Sequence, residues 1–125
     1  MEFDKRRPIY EQVMEYFIDA FIRGDYKLGE SLPSRRELAQ TLNVNPNTIQ
    51  RAFKEMEDQT LIVTEPNVPS RVTTNPRVIE NLKNQVIHTA VDDFYQKMTS
   101  LDLDHDAIID YINLIAQERK EPHHD

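Results

Sequence analysis

The sequence predicts a mainly α-helical protein that carries one small pair of β-strands. Apolar residues recur at three- and four-residue spacing in five separate segments, which is the pattern of amphipathic helices. Two asparagine-proline pairs, Asn45-Pro46 and Asn75-Pro76, have the residue types that favour a helix start. Between them, Pro66 and Pro69 interrupt the one stretch that favours strands. With 125 residues, 38% of them hydrophobic, the chain can form one modest domain or two very small ones.

The first predicted helix runs from Ile9 to Arg23 and ends at Gly24. One face of it is apolar and is expected to be buried, and its members are Ile9, Val13, Tyr16, Phe17, Ala20 and Phe21. Residues 24–33, GDYKLGESLP, contain both glycines of the protein. We therefore expect the tight turns of the chain in this connector.

Residues 34–56 predict two short helices joined by a turn of three to four residues. Ser34 is expected to cap the first helix, with Glu37 three residues later as its capping-box partner. Asn45 is expected to cap the second, and Pro46 fits its first position, where no amide hydrogen is needed. This arrangement is a helix-turn-helix, in which the beginning of the second helix meets the base edges and phosphates of DNA.

The outward side of the second helix carries side chains suited to nucleic acid. The amides of Asn47 and Gln50 match adenine edges, and Thr48 matches a phosphate beside the positive end of the helix. Arg51 and Lys54 match guanine or phosphate. The motif alone also fits a capped surface helix whose charges are simply solvated, and these residues leave both interpretations open.

The net charge of −7 opposes binding to a polyanion, but it is unevenly distributed. Residues 1–74 carry 10 basic and 12 acidic residues, whereas residues 75–125 carry 5 basic and 10 acidic ones. Within residues 34–54, Glu37 is the one acidic residue, against the basic residues Arg35, Arg36, Arg51 and Lys54. The local field therefore permits DNA to dock there, while the acidic remainder lowers non-specific affinity.

Two motifs in this region are specific enough to compare with known families. They are LPSRRELA at residues 32–39 and VNPNTIQRAFKEME at residues 44–57. Together with them, the stretch from Pro8 to Ile62 resembles the winged helix-turn-helix of GntR-family bacterial transcription regulators. The resemblance implies a repressor that reads operator DNA as a dimer, with Ser34 as the cap that orients the motif. It implies DNA contacts by Arg36, Asn45, Asn47, Thr48, Gln50 and Arg51, to which the basic cluster adds Arg35 and Lys54.

The segment after the second motif departs from that family. Family members usually have a glycine where Thr60 stands and a glycine-rich wing hairpin after it, whereas this chain reads TEPNVPSRVTT at residues 64–74. Because its two prolines remove amide donors, we expect an irregular loop between edge strands at 61–64 and 71–73. Arg71 is the basic residue of this wing and its candidate DNA contact. The residues leave open whether the wing enters the minor groove or is a plain connector.

Residues 76–118 predict a long helix and a shorter one, the second capped by Asp104. Their apolar faces are wider than two helices of one chain can cover, so we expect them to pair with a second copy. The expected interface consists of Leu82, Val86, Ala90, Phe94, Met98, Ile108, Tyr111, Ile112 and Ile115. This tail resembles the two-helix dimerisation unit of the short YtrA-like branch. A helix on a membrane surface is the competing interpretation, which six aspartates between residues 92 and 110 disfavour because anionic lipid repels them.

The sequence offers no support for an enzyme, a cofactor or a metal site. It has no cysteine, no glycine-rich phosphate loop and no Ser-His-Asp grouping with supporting local sequence. The acidic run DLDHD at 102–106 fits a capped helix start better than a metal site, and we interpret HHD at 123–125 as a frayed tail. Since no signal-peptide core or bilayer-spanning run is present, we expect a cytoplasmic protein without a membrane partner.

The predicted organisation is a winged helix-turn-helix DNA-binding domain at 1–74, a two-helix dimerisation region at 75–120 and a disordered tail at 121–125. The leading hypothesis is a homodimeric repressor that binds double-stranded operator DNA with an inverted repeat, and family analogy suggests an ABC-transporter operon. The alternative is a protein-interaction module that kept the fold and lost strong DNA binding. The effector is unknown, and we expect a signal to act at the dimer seam or near residues 73–77 rather than in an enclosed cavity of the tail.

Overall fold

The structure, a computed structural model, describes residues 1–121. The elements in these residues are α1 (Ile9–Arg23), α2 (Arg35–Leu42), α3 (Pro46–Asp58), β1 (Ile62–Val63), β2 (Arg71–Val72), α4 (Pro76–Ser100) and α5 (His105–Lys120). They confirm the predicted fold class of five helices with a small β wing, although both strands are shorter than expected. The chain divides into two compact units, residues 1–84 and the part from Gln85 onward. The predicted functional boundary after residue 74 stays a prediction, and residues 122–125 of the predicted tail lie outside the described residues.

The core of the first unit forms where α1 and α2 pack on α3. Phe17 of α1 and Phe53 of α3 meet edge to face with ring centroids 5.9 Å apart, and both side chains are fully buried. The apolar face predicted for α1 is therefore confirmed in its centre. Tyr16, expected on that face, is instead 47% exposed, because it lies at the border of the stripe, where its ring contacts the edge of Phe17.

Four helices end in the same hydrogen-bonded motif, in which one residue adopts the left-handed conformation. At the end of α3, the amide of Leu61 donates to the Met56 carbonyl at 3.0 Å, and the amide of Thr60 donates to the Glu57 carbonyl at 2.9 Å. The left-handed residues of α1, α2, α3 and α4 are Gly24, Asn43, Thr60 and Asp102. Of these four, Thr60 alone is β-branched.

The wing is a two-stranded antiparallel sheet in which Ile62 pairs with Val72 and Val63 pairs with Arg71. The connector before α2 extends this sheet, because the amide of Leu32 donates to the Ser70 carbonyl at 2.8 Å and the amide of Val72 donates to the Glu30 carbonyl at 2.9 Å. Gly29 makes the approach possible at φ +77°, and a Cβ there would stand 3.3 Å from Thr74 Cγ2. The sequence did not predict this third strand-like segment.

The second unit contains the remainder of α4 and the whole of α5. Asp104 caps α5 as predicted, since its carboxylate accepts a hydrogen bond from the amide of Ala107 at 2.9 Å. Ile108 is fully buried, and the Tyr95 hydroxyl lies 3.0 Å from His105 Nδ1. Over residues 1–121, no helix combines the length and the apolar character needed to cross a bilayer. In the same residues no group of three or more His, Asp or Glu side chains is arranged to hold a metal ion.

Candidate nucleic-acid interface

The turn between α2 and α3 is built from side-chain caps and one left-handed asparagine. Ser34 Oγ accepts from the amide of Glu37 at 3.1 Å, and Asn45 Oδ1 accepts from the amide of Asn47 at 2.8 Å. Asn43 ends α2 at φ 54°, a conformation that asparagine tolerates better than most residues. These caps fix where α3 begins, so they set the position of every side chain on its first two turns.

The two sides of α3 differ sharply in exposure. Its inner side is buried completely, through Ile49, Ala52, Phe53 and Met56. Its outer side carries exposed side chains at the predicted DNA-contact positions Asn45, Asn47, Gln50, Arg51 and Lys54, while Thr48 is half-buried. The helix therefore presents polar and basic groups to solvent on one side, while its other side is packed in the hydrophobic core.

Arg51 is held in place by neighbours on two elements. Its Cζ lies 3.8 Å from the centroid of the Tyr10 ring, and its Nη2 donates to the Tyr10 hydroxyl at 3.1 Å. On its own helix, Nε lies 3.6 Å from a carboxylate oxygen of Glu55. The Tyr10 oxygen serves as the hydrogen-bond acceptor, and burial raises the pKa of this phenol, which is neutral at physiological pH even without the shift.

A groove of about 350 Å³ lies in front of this arginine. Its lining comes from the beginnings of α1 and α3, and consists of Ile9, Tyr10, Asn45, Asn47, Thr48 and Arg51. Four of these residues are predicted DNA contacts. Tyr10 was missed by the sequence analysis, because the meeting of α1 and α3 is a tertiary contact across 41 residues that no local pattern signals.

The remaining basic residues of this region have different surroundings. Lys54 donates to Asp58 at 2.8 Å, and this hydrogen bond raises the pKa of the lysine. Because both side chains are mostly exposed, the pair is weak and leaves the ammonium able to exchange partners. Arg36 is exposed on α2, and within residues 1–121 its side chain forms no salt bridge. Arg36 is thus available to an external phosphate.

Arg35, whose predicted DNA contact stays a prediction, is half-buried and packs against the protein. Its Nη2 donates to Thr64 Oγ1 at 3.3 Å, its Cζ is 5.3 Å from the centroid of the Phe53 ring, and its Nε is buried without a hydrogen-bond partner among the described residues. Thr64 Oγ1 lies 2.8 Å from Ser70 Oγ, so the arginine is linked to both ends of the wing loop. Arg71 is exposed on β2 beside this loop. A groove of about 650 Å³ separates the start of α2 from the loop.

The predicted dimer-interface residues fall into three classes of exposure. Leu82 and Ile108 are buried within the chain itself. Val86 and Met98 are half-buried, whereas the exposed members are Ala90, Phe94, Tyr111, Ile112 and Ile115. Their role in a dimer stays a prediction.

Comparison with known proteins agrees with this geometry. The pattern of bacterial regulatory proteins of the gntR family matches residues 9–72, which hold α1, the two helices of the helix-turn-helix motif and the wing. The chain is 28% identical over 116 residues to the HTH-type transcriptional regulator YhcF of Bacillus subtilis, covering 93% of this chain and 96% of that protein. It is 44% identical over 57 residues to the transcriptional repressor YtrA of the same organism, covering 46% of this chain and 44% of YtrA.

The fold is also found in a GntR family transcriptional regulator from Listeria monocytogenes. That structure superposes with a TM-score of 0.86 and 36% identity, covering 89% of this chain and 97% of the other. The relatives are named as regulators of transcription, which confirms the prediction of a regulator rather than an enzyme. The chain therefore belongs to the GntR family of bacterial regulatory proteins, as a short, YtrA-like transcription regulator that binds DNA.

Proposed function

We propose that the protein is a homodimeric repressor that reads an inverted-repeat operator through the beginning of α3. The observation that carries this proposal is the two-sided character of α3. Asn47, Gln50 and Arg51 are exposed together on one side, while the other side is anchored in the core. A helix held in this way presents base-reading groups at fixed positions, which is what readout in the major groove requires.

The apolar surface of the second unit supports the proposed dimer. Fifteen large hydrophobic side chains are exposed on residues 1–121, and ten of them lie between residues 87 and 115. Val91 is 57% exposed and Tyr111 is 54% exposed. Apolar surface concentrated in this way marks an interaction site. In a two-fold dimer the same surface on a second copy covers it. A two-fold dimer in turn requires two half-sites in the operator.

Repression is the mode of regulation that the resemblance supports. YtrA of Bacillus subtilis is named a repressor, and it is 44% identical to this chain over 57 residues. The resemblance to the short YtrA-like branch supports control of an ABC-transporter operon. We expect the effector to act where residues 73–77 leave the wing, and a groove of about 500 Å³ adjoins this segment, with Phe21, Tyr26, Val72, Pro76 and Ile79 among its lining residues.

The alternative, a protein-interaction module with weak DNA binding, is favoured by the net charge of −7 and by a wing without glycine. Neutralising Arg36 and Arg51 together separates the two functions. The repressor requires both side chains, so the double Arg36→Ala, Arg51→Ala variant should lose operator binding, as measured by fluorescence anisotropy at fixed salt. Arg23→Ala, which removes an exposed arginine paired with Asp25 at the other end of α1, is the matched control and should bind as the wild type does. Unchanged binding by the double variant would contradict the proposal.

A further inference from the structure

We propose that Tyr10 is a positioning residue for DNA readout, which holds the guanidinium of Arg51 ready to meet a guanine or a phosphate. The inference rests on the proposed function, because it requires that the beginning of α3 faces DNA. Tyr10 belongs to α1, outside the helix-turn-helix motif, and it forms one wall of the groove in front of Arg51.

Contacts with Tyr10 and Glu55 support the orientation of the Arg51 side chain. The ring of Tyr10 lies 3.8 Å from Cζ and its hydroxyl accepts from Nη2 at 3.1 Å, while Glu55 attracts Nε from 3.6 Å. A free arginine on a surface helix samples many rotamers, and fixing it upon binding costs side-chain entropy. Tyr10 reduces that cost, because the guanidinium is already ordered before DNA arrives.

The same contacts leave part of the guanidinium available. Nη2 and Nε are engaged, whereas Nη1 forms no hydrogen bond to any residue of 1–121. An arginine fork reads guanine through two parallel donors, and Nη1 together with the second hydrogen of Nη2 can supply them. The phenol itself is neutral, and the carboxylates near it are Glu55, which pairs with Nε, and Glu11, to which the Tyr10 hydroxyl donates at 3.4 Å.

The position of Tyr10 is itself fixed by the chain that precedes α1. The amide of Asp4 donates to Gln12 Oε1 at 2.8 Å, and Gln12 Nε2 donates back to the Asp4 carbonyl at 2.7 Å. These bonds close the segment before α1 onto its first turns. The beginning of α1 is therefore ordered, and its aromatic ring can act as a fixed support.

The test is a double-mutant cycle on DNA. The wild type, Tyr10→Ala, Arg51→Ala and the double variant are titrated against a duplex that the wild type selects from a random pool, and against a scrambled duplex. Tyr10→Ala should weaken binding to the selected duplex about three- to fivefold, as expected for loss of a cation–π support at an exposed site. In the Arg51→Ala background the same change should alter affinity less than about twofold, because the residue through which Tyr10 acts is gone.

Two further variants separate positioning from folding. Tyr10→Phe keeps the ring and should retain most of the wild-type affinity. Tyr16→Ala removes an exposed tyrosine of the same helix and should leave binding unchanged. If thermal unfolding shows that Tyr10→Ala is not folded, the cycle is run with Tyr10→Leu. This variant keeps apolar volume and removes the aromatic face.

Several outcomes would overturn the inference. Equal losses for Tyr10→Ala in both backgrounds would mean that Tyr10 touches DNA directly. Tighter binding by Tyr10→Ala would mean that the ring withholds Arg51 from DNA. Either result leaves the proposed function standing, whereas a wild type that selects no duplex would contradict the proposed function and the inference with it.

Discussion

At the residue scale, Thr60 shows how the chain differs from its family. This threonine closes α3 at φ 63°, a left-handed conformation that costs an L-residue roughly 1–2 kcal/mol and is least favourable for a β-branched side chain. Gly24, Asn43 and Asp102 occupy the equivalent place in the other three helix ends, and all three tolerate it better. Thr60 is therefore a point of backbone strain immediately before β1.

Replacing Thr60 with glycine should relieve this strain. Since glycine loses more backbone freedom on folding, the expected gain in the free energy of unfolding is about 0.5–1 kcal/mol. Urea unfolding with an unchanged m-value measures it. The matched control is Gln59→Gly, because Gln59 has φ −86° and gains nothing from glycine, so that variant should be destabilised. Destabilisation by Thr60→Gly would show that the threonine is not strained.

Base reading and phosphate binding are separable among the exposed side chains. We expect Asn47→Ala or Gln50→Ala to cost about 1–3 kcal/mol on the operator and little on scrambled DNA, because each removes a pair with a base edge. Arg36→Ala should weaken binding to both duplexes and reduce the salt slope by about one unit, because its partner is phosphate. Titrations of each variant at several salt concentrations distinguish the two patterns. If Asn47→Ala and Gln50→Ala lose equal affinity on both duplexes, these two residues do not discriminate between DNA sequences. Arg51, Lys54 or the wing would then be the residues that do.

At the scale of elements, the sequence correctly predicted the features that depend on neighbouring residues, namely the helix caps and the buried sides of helices. Ser34, Asn45 and Asp104 cap the helices that they were expected to cap, and the buried side of α3 is the apolar side read from its periodicity. The contacts that local patterns do not encode were missed. Tyr10 meets Arg51 across 41 residues, and the segment around Leu32 joins the wing through backbone bonds that any residue type except proline can form.

We expect Arg35 to anchor the wing loop, which contains no glycine. Changing Arg35 to methionine keeps most of the apolar stem and removes the guanidinium, including its buried unpaired Nε, so we expect global stability to change little. The loss of the bond to Thr64 should free the loop, and hydrogen exchange should become faster in residues 62–72 while α1 and α3 stay protected. Arg36→Met is the control, since that side chain is exposed. The same acceleration in both variants would exclude Arg35 as the anchor of the wing.

At the scale of the whole molecule, the proposed assembly depends on the exposed apolar side chains of the second unit. Sedimentation at micromolar concentration should give twice the 14.7 kDa chain mass. Ile112→Asp should yield a monomer, because it places a charge in the expected interface, where an unpaired buried charge is strongly unfavourable. Val68→Asp alters a wing residue that is 48% exposed and should stay dimeric. A wild type that sediments as a monomer would refute the interface and the two-fold operator together.

The central claim is that two copies of α3 read the two halves of one operator. Its most direct test is selection of DNA by the wild-type protein from a pool of random duplexes, followed by sequencing of the bound fraction. We expect the recovered duplexes to share an inverted repeat whose half-site centres lie about 10–10.5 base pairs apart, or a multiple of that spacing. Recovery of no common sequence, or of a single half-site without its inverted partner, would contradict the account.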